Sequence, residues 1–431
     1  MRYDIILRNG TIVTSRGRYA ADIAICDGRI MEIAAPGVLP ETSGPSHDLG
    51  NCFILPGLID AHVHFRDPGL THKEDLQTGT RSALYGGITY VVDMPNVEPV
   101  TSTAERLRER IALAQRRSEI DIGFFALLTG DNLDEMEGLR EEGAVGYKVY
   151  LGTSVGNIAA PPDGILLEQF RRAASLHMRI GFHAENNAIN DYCTQRAINS
   201  GNCDAAILPK ARPDFSEVEA VDRAIAFSRE TGAAIHIYHV SSAKTVARIR
   251  QAKIEGLDIT CETCPHYLLL DESDYIRLGA KLKAFPPIRT RYDQDALWQG
   301  VDDGTIDMIA TDHAPHTPAE KSGNIWEAMA GVAGVEISAR LMLNEVHRGR
   351  LTLEKLCALM SEGPAKVWNL SDRGVIRSGA KANLTIIDPE YRGTIRDAAL
   401  HGKTNVTAFD GTETVGAPVF SVTNGKLHKL V

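Results

Sequence analysis

Several things are scarce in this chain of 431 residues, and each scarcity removes a class of explanation. No stretch approaches the roughly 20 consecutive apolar residues that cross a bilayer. The seven cysteines are an odd number spread thinly, which fits a reducing compartment better than a disulfide framework. Basic residues are outnumbered, 46 against 56 acidic ones, and the net charge of −10 argues against a nucleic-acid partner or an anionic membrane surface. Low-complexity tracts are missing too. The opening Met1-Arg2-Tyr3-Asp4 enters an amphipathic β pattern without signal-peptide architecture, so a cytoplasmic location is expected. Cys261-x-x-Cys264 has no companion pair and reads as structural. What is present is an ordinary globular balance, 43% hydrophobic and 24% charged, with ample material for a large core.

Both ends read as β. Asp4 to Thr14 alternates around Asn9-Gly10 and Ala21 to Ile33 around Asp27-Gly28, and both dipeptides are strong hairpin-turn signals. Asn383 to Asp388 and Val419 to Leu427, with Asn424-Gly425, repeat the pattern. The expectation is one small β-sandwich domain assembled from residues 1–56 and 375–431. Between them, 57–374 alternates short apolar strands with helical stretches. The strands are expected at Leu58–Val63, Thr89–Met94, Ile120–Ala126, Gly146–Leu151, Arg179–His183, Ile235–Val240, Asp258–Thr263 and Asp307–Thr311. Helices are expected at Ala104–Arg117, Asp131–Glu142, Leu166–Leu176, Glu217–Thr231 and Ala243–Glu255. Eight strands separated by helices is the count of an α/β (β/α)₈ TIM-type barrel, with a doubly wound open sheet as the alternative. In a barrel, active groups project from the C-terminal ends of the strands.

Those ends carry metal-binding side chains. In an extended strand His62 and His64 point the same way and can grip one ion. Strand five ends in His183, strand six in His239 and strand eight in Asp312. Four imidazoles and one carboxylate are too many for one tetrahedral ion with an open position, and about right for two. Lys148 sits amid apolar neighbours in strand four. As an ammonium it would repel cations; as a neutral amine it can take up CO₂, and the two oxygens of the resulting carbamate can bridge a metal pair. A buried lysine paired with a carboxylate is the competing reading. His236 lies an odd step from His239 and should face away from it. His266 is expected close to the mouth with no vacant ligand role, His313 to brace its loop, and His177, His347, His401 and His428 to be surface or packing residues.

The ordered set His62-x-His64, Lys148, His183, His239 and Asp312 resembles the metal set of the cyclic-amidohydrolase branch of the amidohydrolase superfamily, which includes dihydroorotases, allantoinases and hydantoinases. The resemblance spans essentially the whole chain. It implies two Zn²⁺ ions, or other divalent transition metals: one held by His62, His64 and Asp312, the other by His183 and His239, with carboxylated Lys148 bridging. It also implies hydrolysis of a small cyclic amide by metal-activated water, Asp312 taking the proton and returning it to the leaving nitrogen. A homodimer or tetramer is the family-based expectation. A catalytically silent relative should have lost metal ligands, and none is missing here.

The choice of ring rests on other positions. Arg66 follows His64 by two residues, on the same face of an extended chain, and its guanidinium suits a carboxylate. Arg66, Asn96 and His316 match the positions with which dihydroorotases hold the carboxylate of their substrate. That triplet favours dihydroorotate, hydrolysed reversibly to N-carbamoyl-aspartate in pyrimidine biosynthesis. Phe285 departs from the pattern, because many dihydroorotases have an asparagine there that touches the ring. Arg212 to Ala220, and Gly323-Asn324 followed by Trp326, read more like allantoinases and hydantoinases, which form the alternative. The loop from Gly152 to Gly164 has the small residues of a lid.

Overall fold

A computed structural model describes residues 3–40, 44–152 and 158–431. The alternation of apolar strands with amphipathic helices closes into a barrel. The strands run Leu58–Val63, Ile88–Asp93, Asp121–Phe124 continued by Ala126–Leu127, Tyr147–Tyr150, Ile180–His183, Ile235–Ile237, Ile259–Thr263 and Met308–Ile309. Neighbours pair in parallel throughout. Phe125 interrupts the third strand and splits the hydrogen-bonded ladder into pieces of three and six strands. Closure comes at the other seam, where His64 N donates to His313 O at 2.8 Å and Val63 bridges to His313. Strand positions agree with expectation to within a few residues.

The helix Ala104–Arg117 has the expected bounds, capped by Thr103, whose side chain accepts from Arg106 N. Helices Leu76–Tyr85, Asn187–Asn199, Arg291–Asp303 and Ser338–His347 complete the outer ring. The expected helix at Asp131–Glu142 starts as a 3₁₀ turn at Leu133–Glu135 and becomes α-helical at Met136–Glu141. Among the described residues no helix is long and apolar enough to cross a membrane.

The chain ends form a second, mostly antiparallel sheet in the order Lys426–Lys429, Glu413–Thr423, Leu384–Thr394, Phe53–Pro56, Ile5–Thr14, Gly17–Cys26, Arg29–Ala34, with Ser46–Asp48 beside Ile5–Thr14. It curls on itself: Ile30 N donates to Ala380 O at 2.9 Å and Ala382 N to Gly28 O at 2.8 Å. A separate apolar cluster that includes Leu7, Ile12, Ile23, Ile54, Leu384 and Val422 fills it. Asp27-Gly28 and Asn424-Gly425 are two-residue turns with positive φ at both residues, as expected. Asn9-Gly10 is not a turn. It is a bulge within Ile5–Thr14, where Asn9 N donates to Asp22 Oδ1 at 2.8 Å, and a Cβ on Gly10 would lie 2.5 Å from Ile54 Cδ1. The dipeptide serves close packing against Ile54, which local sequence cannot reveal.

Candidate active site

The first barrel strand delivers His62 and His64 into a closely spaced cluster with Asp312, from the end of the eighth. Nε2 of each ring lies 3.1 Å from Asp312 Oδ1. Their other nitrogens are held from behind: His62 Nδ1 by Glu262 Oε1 at 2.5 Å, His64 Nδ1 by Asn96 Oδ1 at 2.7 Å. Donating through Nδ1 leaves each neutral ring with its Nε2 lone pair aimed at a carboxylate oxygen, an arrangement that calls for a positive charge in the middle. Burial opposes charge on His62, yet the carboxylates of Asp312 and Glu262 drive its pKa up to about 9. Burial pulls His64 down to about 4. Asp312 is held well below the usual carboxylate range, because His62 outweighs the effect of burial. A divalent cation supplies the missing charge and fits this donor set.

His183 and His239 form the second group. Nδ1 of His183 lies 3.0 Å from Nε2 of His239, while His183 Nε2 faces Glu185 Oε2 at 2.9 Å. Two buried imidazole nitrogens this close also need a cation or a proton between them. Lys148 stands beside both groups, its Nζ 3.7 Å from the Tyr238 ring centre, and that ring in turn packs edge-on to His62. It has no ion pair among the described residues, so the competing reading of a carboxylate-paired lysine finds no partner. Burial lowers its pKa to about 7, which makes a reactive neutral amine available.

Arg66, His239 and Asp312 all adopt left-handed backbone, with φ of 62°, 39° and 47°. For non-glycine residues this is costly, and the cost recurs where side chains must be aimed. Arg66 is 1% exposed and has no carboxylate partner among the described residues; its Nη2 lies 3.5 Å from His316 Nε2. His316 Nε2 lies 2.9 Å from Ala330 O, so that nitrogen carries the proton and donates. Arg66, Asn96, His64, Asp312 and Phe285 line one pocket with Ala330 and Gly331. Asn96 both lines this pocket and braces His64 through its Oδ1.

Three further residues were not singled out from sequence. Glu262 joins His62 to His236, whose Nε2 lies 3.2 Å from Oε2. Glu185, held well below its ordinary pKa by Arg212 and His183 despite burial, receives Arg212 through two bonds of 3.0 and 2.5 Å. Arg212 also stacks on Phe285 at 3.7 Å. A buried glutamate inside an apolar strand, as in Cys261-Glu262-Thr263, is the signal that could have flagged the first. His266 and His313 are buried near the site; His313 Nδ1 accepts from Gly334 N and so braces the loop as expected. Cys261 and Cys264 are buried free thiols. The proposed lid lies partly outside the described residues, at 153–157.

The Amidohydrolase family profile matches residues 53–427. The allantoinase of Rubrobacter xylanophilus is 33% identical over 98% of this chain and 94% of its own length. The dihydroorotase of Latilactobacillus sakei is 35% identical over 98% of both chains. The solved L-hydantoinase (dihydropyrimidinase) of Arthrobacter aurescens superposes with a TM-score of 0.95 at 32% identity, covering 100% of this chain and 98% of that one. The chain therefore belongs to the Amidohydrolase family and is a cyclic amide hydrolase of its cyclic-amidohydrolase branch.

Proposed function

We propose that this hydrolase opens small cyclic ureides of the hydantoin and allantoin type. In this reading His62, His64 and Asp312 hold one divalent ion, His183 and His239 a second, and carboxylated Lys148 joins them; zinc is the expected metal, with cobalt or manganese able to use the same ligands. Bound there, the ions supply Lewis acidity and lower the pKa of water. Asp312 takes the proton of the attacking water and passes it to the leaving ring nitrogen. Glu262, Asn96 and Glu185 hold the imidazoles in the required tautomers. Residues 1–56 and 375–431 form the β-domain in this account, and 57–374 the catalytic barrel.

The observation that carries the ring assignment is Phe285. Its ring lines the pocket beside His64 and Asp312, backed by Arg212, and offers no hydrogen bond where a pyrimidine ring would be held by an amide. Relatives named allantoinase and L-hydantoinase support the same choice. Dihydroorotase, favoured on sequence, becomes the second reading. It retains one specific support, the buried Arg66, a cation that lines the same pocket and has no carboxylate partner among the described residues. A side-by-side assay of hydantoin, allantoin and dihydroorotate on the metal-loaded enzyme decides. The expected result is a kcat/KM for hydantoin or allantoin at least about tenfold above that for dihydroorotate. The reverse order gives the assignment to dihydroorotase.

A further inference from the structure

Three buried lysines converge on one pocket-lining segment, residues 317–331. Lys321 Nζ donates to the carbonyls of Lys283, Met329 and Gly331 at 3.2, 3.0 and 2.9 Å. Lys283 Nζ donates to Ala328 O at 2.6 Å. Lys73, 6% exposed, lies on the turn that carries Arg66: Leu70 N donates to Arg66 O and Lys73 N to Leu70 O, both at 3.0 Å. Its ammonium reaches Glu320 Oε1 at 3.0 Å and His316 Nδ1 at 3.4 Å.

The tautomer of His316 follows from its two sides. An ammonium has only donors, so Nδ1 facing Lys73 must present its lone pair. Nε2 then carries the proton and donates to Ala330 O at 2.9 Å. Ala330 and Gly331 are in turn the pocket wall opposite Arg66. Gly331 (φ 148°) tolerates no side chain, since a Cβ would lie 2.3 Å from Ala314 O and 3.0 Å from His316 Cδ2. The wall therefore packs directly on Ala314 and His316, with the Ala330 carbonyl held by His316.

We propose that Lys73 is a positioning residue for the hydrolysis: by holding His316 as the Nε2–H tautomer it fixes the Ala330–Gly331 wall and keeps the imidazole from accepting a bond from Arg66. Arg66 is then left with its donors for substrate. The last step rests on the substrate-binding role that the dihydroorotate reading gives Arg66; the tautomer and the wall do not. Burial together with Arg66, Lys73 and Lys321 disfavours a proton on His316, and only Glu320 opposes them.

Lys73→Met in the metal-loaded full chain is expected to raise KM about tenfold while kcat stays within about twofold and metal content is unchanged. Lys73→Arg should bring KM back to within about threefold of the parent. Because Lys73 acts through His316, the double variant Lys73→Met/His316→Gln should match His316→Gln alone. All are measured on whichever cyclic amide the parent hydrolyses fastest, so an error in the ring assignment leaves the test intact. Wild-type KM in Lys73→Met, loss of metal with it, or additive effects in the double variant would overturn the proposal. A second measurement needs no variant of Lys73: ¹⁵N-histidine spectra of the parent, with His316 assigned by His316→Gln, should show a neutral Nε2–H ring from about pH 5 to 8. A ring protonated on Nδ1, or charged, overturns it equally.

Discussion

Glu262 accepts a hydrogen bond from His62 Nδ1 at 2.5 Å and, through its other oxygen, lies 3.2 Å from His236 Nε2. One buried carboxylate thus sets the tautomer of an imidazole in the proposed metal cluster and is itself held in place by a second histidine, His236. Outer carboxylates of this kind orient the ring and raise its basicity.

Glu262→Gln removes that charge at nearly constant volume. Zinc affinity is expected to fall about 10- to 100-fold, read as zinc per chain after dialysis against a competing chelator, with the circular dichroism of the parent. A variant that keeps its zinc as tightly as the parent would show that His62 needs no such support.

Lys148→Ala takes away the proposed bridge. We expect loss of one metal ion per chain and a fall in kcat of at least about a thousandfold. Added propionate, whose carboxylate stands in for the carbamate, should restore part of the activity. Full activity without any added acid would exclude a bridging role for Lys148.

Arg66→Ala and Phe285→Asn divide the substrate question. The first should leave metal content unchanged and lower kcat/KM for dihydroorotate about 100-fold, the scale of a lost hydrogen bond to a charged group; neutral hydantoin should suffer less. Metal loss in Arg66→Ala would recast the arginine as a brace of the centre. The second should raise the preference for dihydroorotate over hydantoin by about tenfold; an unchanged ratio would clear Phe285 of any part in ring choice.

Arg110 and Asp93 form a fully buried pair at 2.6 Å behind the Arg66 turn, with Arg110 Nε also donating to Asp67 O at 3.3 Å. Arg110→Met strands the Asp93 carboxylate, so unfolding by urea should show a loss of about 3–5 kcal/mol. A loss below about 1 kcal/mol would mean that Asp93 finds water or a proton instead.

The barrel was legible because the apolar strands and amphipathic helices repeat with their own periods, and because His62, His64, His183, His239 and Asp312 are ligand types placed at strand ends. These are local facts, written over a few residues at a time. The remaining details depend on contacts between distant positions. Glu262 meets His62 across 200 positions, and Asn96 braces His64 across 32. Asn9-Gly10 carries a hairpin signal, yet Ile54 packs into the space its glycine leaves. His316 lies four residues after Asp312, but Lys73 and Ala330 decide which of its nitrogens holds the proton. The amino-acid sequence by itself determined the fold class and the class of reaction, because donor chemistry belongs to residue type and strand-end placement to local periodicity. Only the tertiary structure decided which groups brace these histidines and which wall lines the pocket, since tautomers, buried charges and close packing are set by partners that sequence order keeps far apart.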